Sequence, residues 1–459
     1  MRILRWLDQW HWVWIALAAP FLIFPTVARS FAMLIIPGVW MIGILARRDP
    51  LRRTPLNPAL LLLAVMVLVS LYATYDFAQS FPKITGMVLA FGVFFATVRE
   101  AHHFKGWWGA ALLLSALTVG MAGFALLTVK WGAKIPLIGS LVAQLTPRLI
   151  GLPGAPGGVS PNELAGALVW GIPLLTMLVV ALWRRRHVVS EILGARKTML
   201  ALVALVGATL FTFAILVLTQ SRGGYLGLFS AFAAILFFVM PWRWRIVLTI
   251  GSVAILVAAI VFLRFNTLTP TIEDSGALSV ESAIDTLEGR LEIWSRAIYG
   301  IEDFAFTGMG MNTFRRVVHV LYPLFLIGPD VDIAHAHNEF LQAGLDLGAP
   351  GLIAFVALYF GAAMMLGAVW TRARALMPDT FFIRAVVLGL GAALLAHLVY
   401  GMTDAVTFGA KPGFMFWLLL GLVAGLYDQA QSGRLQKWYE WFGVLEAQSP
   451  SSFPESLGC

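Results

Sequence analysis

Apolar runs of about twenty residues recur along almost the whole chain, and each is long enough to cross a hydrocarbon core of about 30 Å as a helix. A chain built this way folds in a bilayer. With 59% hydrophobic and only 12% charged residues over 459 positions, a water-soluble multidomain protein is excluded. The runs lack strict in/out alternation, which argues against an outer-membrane barrel. The expected fold is therefore an all-α polytopic membrane protein. Twelve spans are read at roughly 11–26, 31–46, 57–75, 83–98, 107–129, 163–183, 198–219, 224–240, 245–263, 350–370, 382–403 and 412–427.

The first span starts close to Met1 and lacks the small-residue end of a cleavable signal peptide, so it is read as a retained helix. With that end inside, 20 of the 32 Lys and Arg residues fall in cytoplasmic segments, among them Arg47, Arg48, Arg184, Arg185 and Arg186. This asymmetry predicts that both termini are cytoplasmic. The same distribution explains the net charge of +8 without nucleic acid as a partner. Cys459 is the single cysteine, which removes disulfides and cysteine metal sites. The domain reading is 1–263 for nine spans, 264–337 for a large extracytoplasmic loop, 338–427 for three spans and 428–459 for a cytoplasmic tail.

Within the large loop, Glu281 to Phe304 carries Ile284, Leu287, Leu291, Trp294, Ile298 and Ile301 at helical spacing, which predicts an amphipathic helix on or near the outer membrane surface. A second outer loop, about 130 to 162, contains the Pro/Gly run from Gly151 to Gly158. Trp438, Trp441, Phe442 and Leu445 are expected to rest on the inner membrane surface, ahead of a disordered tail after Gln448.

Apart from His397, no span carries an ionisable residue near its centre, which disfavours an ion-coupled transporter, channel or pump. Polar residues gather instead at outer span ends. Gln220-Ser221-Arg222-Gly223-Gly224 reads as a sharp outer hairpin whose glycines let the backbone turn tightly and approach a ligand; the alternative is a turn with a snorkelling arginine. Arg290 falls on the edge of the apolar arc of the amphipathic helix, where it needs an anionic partner or forms a surface ion pair. Arg296 lies on the polar face with Glu288 and Glu292. His335-Ala336-His337-Asn338-Glu339 offers a metal pair, a hydrogen-bonded structural element or a proton acceptor, and spacing does not choose between the two histidines. Arginine presents a planar fork of donors to phosphate oxygens, so Arg222 and Arg290 together suit a diphosphate, with a histidine to deprotonate an acceptor hydroxyl.

Ser-Arg-Gly-Gly at 221–224, Gly-Arg at 289–290 followed by Trp294 and Gly308-Met309-Gly310, and His-Ala-His-Asn-Glu at 335–339 resemble the ordered motifs of the O-antigen ligase and polymerase superfamily. The resemblance is strongest over 200–430. It implies a GT-C-like fold in a bacterial inner membrane and a metal-independent, cofactor-free glycosyltransferase. Its donor would be an undecaprenyl-diphosphate-linked glycan, and its acceptor a lipid A-core or a growing glycan. By the same resemblance Arg222 and Arg290 bind the diphosphate and His337 is the base. Asn338 and Glu339, which adjoin His337, are read as orienting its ring, and Asn162, Asp404 and Lys411, at outer span ends, join His335 as candidate supporting residues. Ligation ranks before polymerisation. An exporter or flippase of lipid-linked glycans is the reading from another class.

Overall fold

The computed structural model describes residues 1–132, 138–139, 142, 144–145, 147–151, 157–247, 249–251, 286–376, 380–408, 411–435 and 438. Helices carry the described chain, and among these residues a lone bridge between Val129 and Val159 is the extended pairing. The main helices are α1 (His11–Ile23), α2 (Ala28–Leu45), α3 (Asn57–Ala73), α4 (Phe77–Ala101), α5 (Phe104–Thr128) and α6 (Pro161–Arg184). They continue with α7 (Ala195–Leu218), α8 (Arg222–Val239), α9 (Leu287–Asp303), α10 (Phe314–Leu321), α11 (Glu339–Leu376), α12 (Phe381–Tyr400) and α13 (Phe414–Gln431).

Eight of these are long and apolar enough to cross a membrane: α2, α4 to α8, α11 and α12. The chain is thus a multi-pass membrane protein. Of the twelve expected spans, 11–26 and 57–75 correspond to the shorter helices α1 and α3. The last corresponds to α13, an 18-residue helix buried along most of its length. Most of the ninth, 245–263, lies outside the described residues, as do most of the Pro/Gly run and the first part of the large loop, including Ile284.

The core is built around α13, which lies against α4. Close approach is set by two glycines four residues apart: a Cβ at Gly421 would come within 2.5 Å of Thr97, and one at Gly425 within 2.3 Å of Ala101. Trp107 of α5 completes the contact by donating to the Leu422 carbonyl at 3.0 Å. Trp438 is not on a membrane surface. It is 1% exposed, set among Phe104, Trp107, Trp108 and Phe382, with Nε1 donating to Gln429 at 2.7 Å. Trp441, Phe442, Leu445 and the tail lie outside the described residues.

Helix α9 forms as its spacing predicts, capped by Thr286, whose hydroxyl accepts from Gly289 N at 3.1 Å. Its buried face differs from the expected stripe. Gly289, Ile293, Ala297 and Gly300 are buried, whereas Leu287, Leu291 and Ile298 are exposed. The small residues admit a second core, in which Ile293 and Ala297 meet Phe314 and Val318 of α10 and Ile333, Ala336 and Leu345. Arg296 is not a free solvent-side residue. Its Nε donates to the Pro323 carbonyl at 2.8 Å, while the Glu292 carboxylate accepts from Phe325 N at 2.6 Å and Leu326 N at 3.0 Å. The two side chains pin the segment 323–326 to the helix.

Helix α11 is broken at Gly348, which takes φ 68° and ψ −179°. The break frees backbone groups that receive the chain after α9: Ala349 N donates to Ala305 O at 2.6 Å and Met309 N to Leu345 O at 2.7 Å. A Cβ at Gly348 would lie 2.8 Å from Ala305 O, so only glycine fits both the dihedral and the space. The first turns of α11 are thereby fastened to the segment that carries α9 and α10.

Candidate active site

The segment 401–407, directly after α12, is where the distant elements meet. Glu339 N donates to Gly401 O at 2.6 Å and Asn338 Nδ2 to Met402 O at 3.2 Å. The Arg290 guanidinium donates to Thr403 O. Glu339 then accepts from Val406 N at 2.7 Å and from Thr407 N at 3.0 Å. From the other side, Gly223 lies so close to Thr403 that a Cβ would come within 2.1 Å of its hydroxyl. All three sequence clusters therefore touch one stretch of chain, two of them at its main chain and Gly223 at the Thr403 side chain.

Asp404 occupies the middle of that stretch and is buried. Its Oδ1 accepts from Ala405 N at 2.9 Å and lies 3.4 Å from His335 Nε2 and 3.7 Å from His337 Nδ1. Its Oδ2 accepts from the Tyr400 hydroxyl at 3.1 Å, and that hydroxyl also donates to Asn162 O at 2.7 Å. The Tyr400 ring fits there because a Cβ at Gly166 would meet it at 2.7 Å.

The two histidines differ in what their nitrogens can do. His337 N donates to His335 Nδ1 at 3.2 Å, so that nitrogen is an acceptor and the neutral ring carries its proton on Nε2, toward Asp404. Burial, reinforced by the charges of His337, Lys83 and Arg290, pulls His335 down to about 3 and keeps it neutral. Burial pushes Asp404 up, but the two neighbouring histidines and the Ala405 N–H together outweigh it and hold the carboxyl below the usual carboxylate range. His337 turns its Nδ1 toward the carboxylate, but at 3.7 Å it stops short of a hydrogen bond, and this buried atom has no hydrogen-bond partner in the structure. An Nδ1–H facing Asp404 leaves Nε2 as the basic nitrogen.

Ligand atoms of His335, His337 and Asp404 all lie within 4.8 Å of one another, a set that two imidazoles and a carboxylate could use for a divalent metal. A ligating histidine donates its second N–H to a neighbour. His335 instead accepts at Nδ1, so its Nε2 holds the proton and is blocked as a ligand. The donor set fits a carboxylate that orients imidazoles better than it fits a metal.

Several expected residues take other places. Gly223 and Gly224 do not make the turn before α8. The left-handed residue is Gln220, with φ 53°, and both glycines are helical, with the Ser221 hydroxyl accepting from Gly224 N at 3.3 Å. They are small because Thr403 and Ala165 press on them. Arg222 opens α8 and is exposed. Asn338 and Glu339 do not face the His337 ring. Asn338 Oδ1 accepts from Phe340 N at 3.0 Å and Leu341 N at 3.1 Å, and Glu339 is spent on the backbone of 406–407. The group facing the ring is Asp404. Asn162 takes part through its carbonyl. Lys411 lies 6.0 Å from the Phe24 ring centroid, and its charge, like that of Asp404, acts on Glu163. Tyr400 and Thr403 belong to the site without having been expected there. The signal available was a polar Thr-Asp pair closing an apolar run.

Residues 207–356 match the family model described as O-antigen ligase, 150 of the 459 residues. The match takes in Arg222, Arg290, His335 and His337, and leaves Lys83, Tyr400 and Asp404 outside. A comparison with curated proteins finds no match. The matched stretch and the apolar helices support an O-antigen ligase- or polymerase-type membrane enzyme, which at that coarse level acts on a lipid-linked glycan and an acceptor.

Proposed function

We propose, with that family match as the premise, that the chain is an inner-membrane glycosyltransferase that moves a glycan from an undecaprenyl-diphosphate carrier to an acceptor sugar hydroxyl. The observation that carries this reading is the Asp404 carboxylate set against two unlike imidazoles, one of them with its Nδ1 already occupied. In this reading Asp404 holds His337 in the Nδ1–H tautomer, and His337 Nε2 takes the proton of the acceptor hydroxyl as its oxygen attacks the anomeric carbon. The bond from that carbon to the diphosphate oxygen breaks, and the leaving diphosphate keeps the electron pair. Attack opposite the leaving group inverts the anomeric centre. Arg222 and Arg290 stabilise the charge that grows on the diphosphate, the larger part of the rate gain. General-base assistance adds about 10² to 10⁴.

The fold then belongs with the GT-C-like membrane glycosyltransferases, with twelve spans, both termini in the cytoplasm and the site on the extracytoplasmic side. The domain limits proposed are those at 263, 337 and 427. His335, fixed as a neutral donor to Asp404, keeps the carboxylate in place, and Asn338, Glu339 and Asn162 build the segment that presents it. Lys411 takes a peripheral place. No metal or other cofactor enters the reaction.

The test is transfer in vitro by the purified chain, given an undecaprenyl-diphosphate glycan with either a lipid A-core or a second carrier-linked glycan as acceptor. Transfer to the first makes the chain a ligase and to the second a polymerase; movement of the intact donor across a bilayer with no new glycosidic bond would make it an exporter. EDTA is expected to leave the rate unchanged. Loss in EDTA restored by a divalent ion would assign the two histidines and Asp404 to a metal.

A further inference from the structure

Helix α4 lies outside the family-matched stretch, yet it brings a cation to this site. Lys83, about two turns into α4, is 17% exposed in its side chain, and its ammonium lies 4.0 Å from Oδ2 of Asp346, whose side chain is fully buried. The other oxygen of Asp346 is held on two sides, accepting from Asn312 N at 3.0 Å and from Gln342 Nε2 at 2.8 Å. Gln342 in turn accepts from Ala336 N at 2.8 Å through its own oxygen. Ala336 is the residue between the two histidines. A path thus runs from the partly exposed Lys83 through the buried Asp346 and Gln342 to the histidine segment, along the face of α11 that also carries Glu339.

An ammonium whose sole task is to neutralise Asp346 would close to hydrogen-bond distance, about 2.8 Å. At 4.0 Å it stops short, Asp346 Oδ2 is left without a hydrogen bond, and the ammonium keeps part of its surface accessible. Its charge acts on His335 in the same direction as that of Arg290, so cations on two elements favour the neutral histidine. We propose that Lys83 binds a phosphate-type oxyanion of a substrate in this site, as a third cation beside Arg222 and Arg290, with Asp346 holding it toward the histidines. The inference rests on the glycosyltransferase reading and adds a ligand to it. The oxyanion comes from the donor diphosphate or from a phosphate on the acceptor glycolipid.

The experiment measures binding of undecaprenyl diphosphate to the full chain in detergent, and the KM of a phosphorylated acceptor in the transfer assay. Lys83→Met alone strands a buried carboxylate, so the informative variant is Lys83→Met with Asp346→Asn, which removes the pair together. Asp346→Asn alone and Arg222→Ala are the references. The double variant is expected to weaken undecaprenyl diphosphate about tenfold, the effect of losing one charge-assisted contact, while Asp346→Asn alone binds at least as well as the intact chain. An unchanged Kd with a similarly raised acceptor KM places the oxyanion on the acceptor. Normal values of both in the double variant, with binding weakened in Arg222→Ala, overturn the role of Lys83 and leave the glycosyltransferase reading standing. Normal binding in both variants overturns the two together.

Discussion

His337 takes φ 48°, a left-handed conformation that costs a residue with a Cβ about 1–3 kcal/mol. The surroundings enforce it: Asn338 caps α11 immediately after it, and His335 Nδ1 accepts its N–H. Strain held at one residue by its neighbours fits a group kept for its chemistry. His337→Ala is therefore expected to abolish transfer and leave undecaprenyl diphosphate binding intact, whereas His335→Ala keeps part of the activity because Asp404 remains anchored by Tyr400 and Ala405; near-normal turnover in His337→Ala would remove the base from the mechanism. Acid stability follows from His335. Its folded value of about 3 lies below the ordinary 6.5, so the unfolded chain binds a proton first as pH falls. Stability is full above about 6.5 and declines toward 3, and the depressed Asp404 adds a loss of the same sign at the acid end. Thermal melting between pH 7 and 4 should show this decline, and His335→Gln should flatten it; an identical slope in the variant would point to other groups. The arginines and histidines were legible in the sequence because their types and order are unusual in an apolar chain. Tyr400 and Lys83 were not, since a tyrosine or lysine near a span end has an ordinary explanation at the membrane interface.

Helix α9 shows what periodicity reveals and what it leaves open. Its spacing predicts a helix, which forms, and the two arginines reach different segments, Arg290 the Thr403 carbonyl and Arg296 the Pro323 carbonyl rather than open solvent. The identity of the buried face does not follow, because Gly289, Ala297 and Gly300 carry little apolar surface of their own and are covered by neighbours outside the helix, as Leu345, Met309 and Tyr322 cover Gly300. Leu287, Leu291 and Ile298 remain exposed, a composition suited to a membrane surface. The two arginines then predict different failures. Arg290→Ala should weaken donor binding and transfer by at least tenfold, the scale of a lost charge-assisted contact. Arg296→Ala should retain most transfer but lower the melting temperature, since its bond to Pro323 O is worth about 1 kcal/mol. Paired kinetics and melting curves on both variants decide the matter, and equal losses of transfer would show that the two positions are not distinct.

Across the molecule, α4 and α13 set two ends apart. Arg99 pairs with Asp8, and Arg52 with Asp428, at the ends opposite those that carry Lys83 and the segment before Phe414. The charge asymmetry of the sequence assigns the first end to the cytoplasm. In a chain with Cys459→Ser, Val320→Cys should react with an impermeant maleimide added to intact cells and Glu191→Cys should not; the reverse pattern would turn the active site inward and defeat the proposed donor geometry. The division of the chain into spans was largely legible because long apolar helices are written residue by residue. The assembly of the site was not, for a reason visible in the segment 401–407. Arg290, Asn338 and Glu339 all bind its main chain, through Thr403 O, Met402 O and the N–H groups of Val406 and Thr407. Any amino acid except proline can present those same carbonyls and N–H groups. Relatives could therefore rewrite almost every letter of this stretch while keeping its shape, provided an acid stays at the place of Asp404. A search by motif would pass over it, and a hybrid built by exchanging 286–338 between two such proteins would work to the extent that the two backbones coincide there.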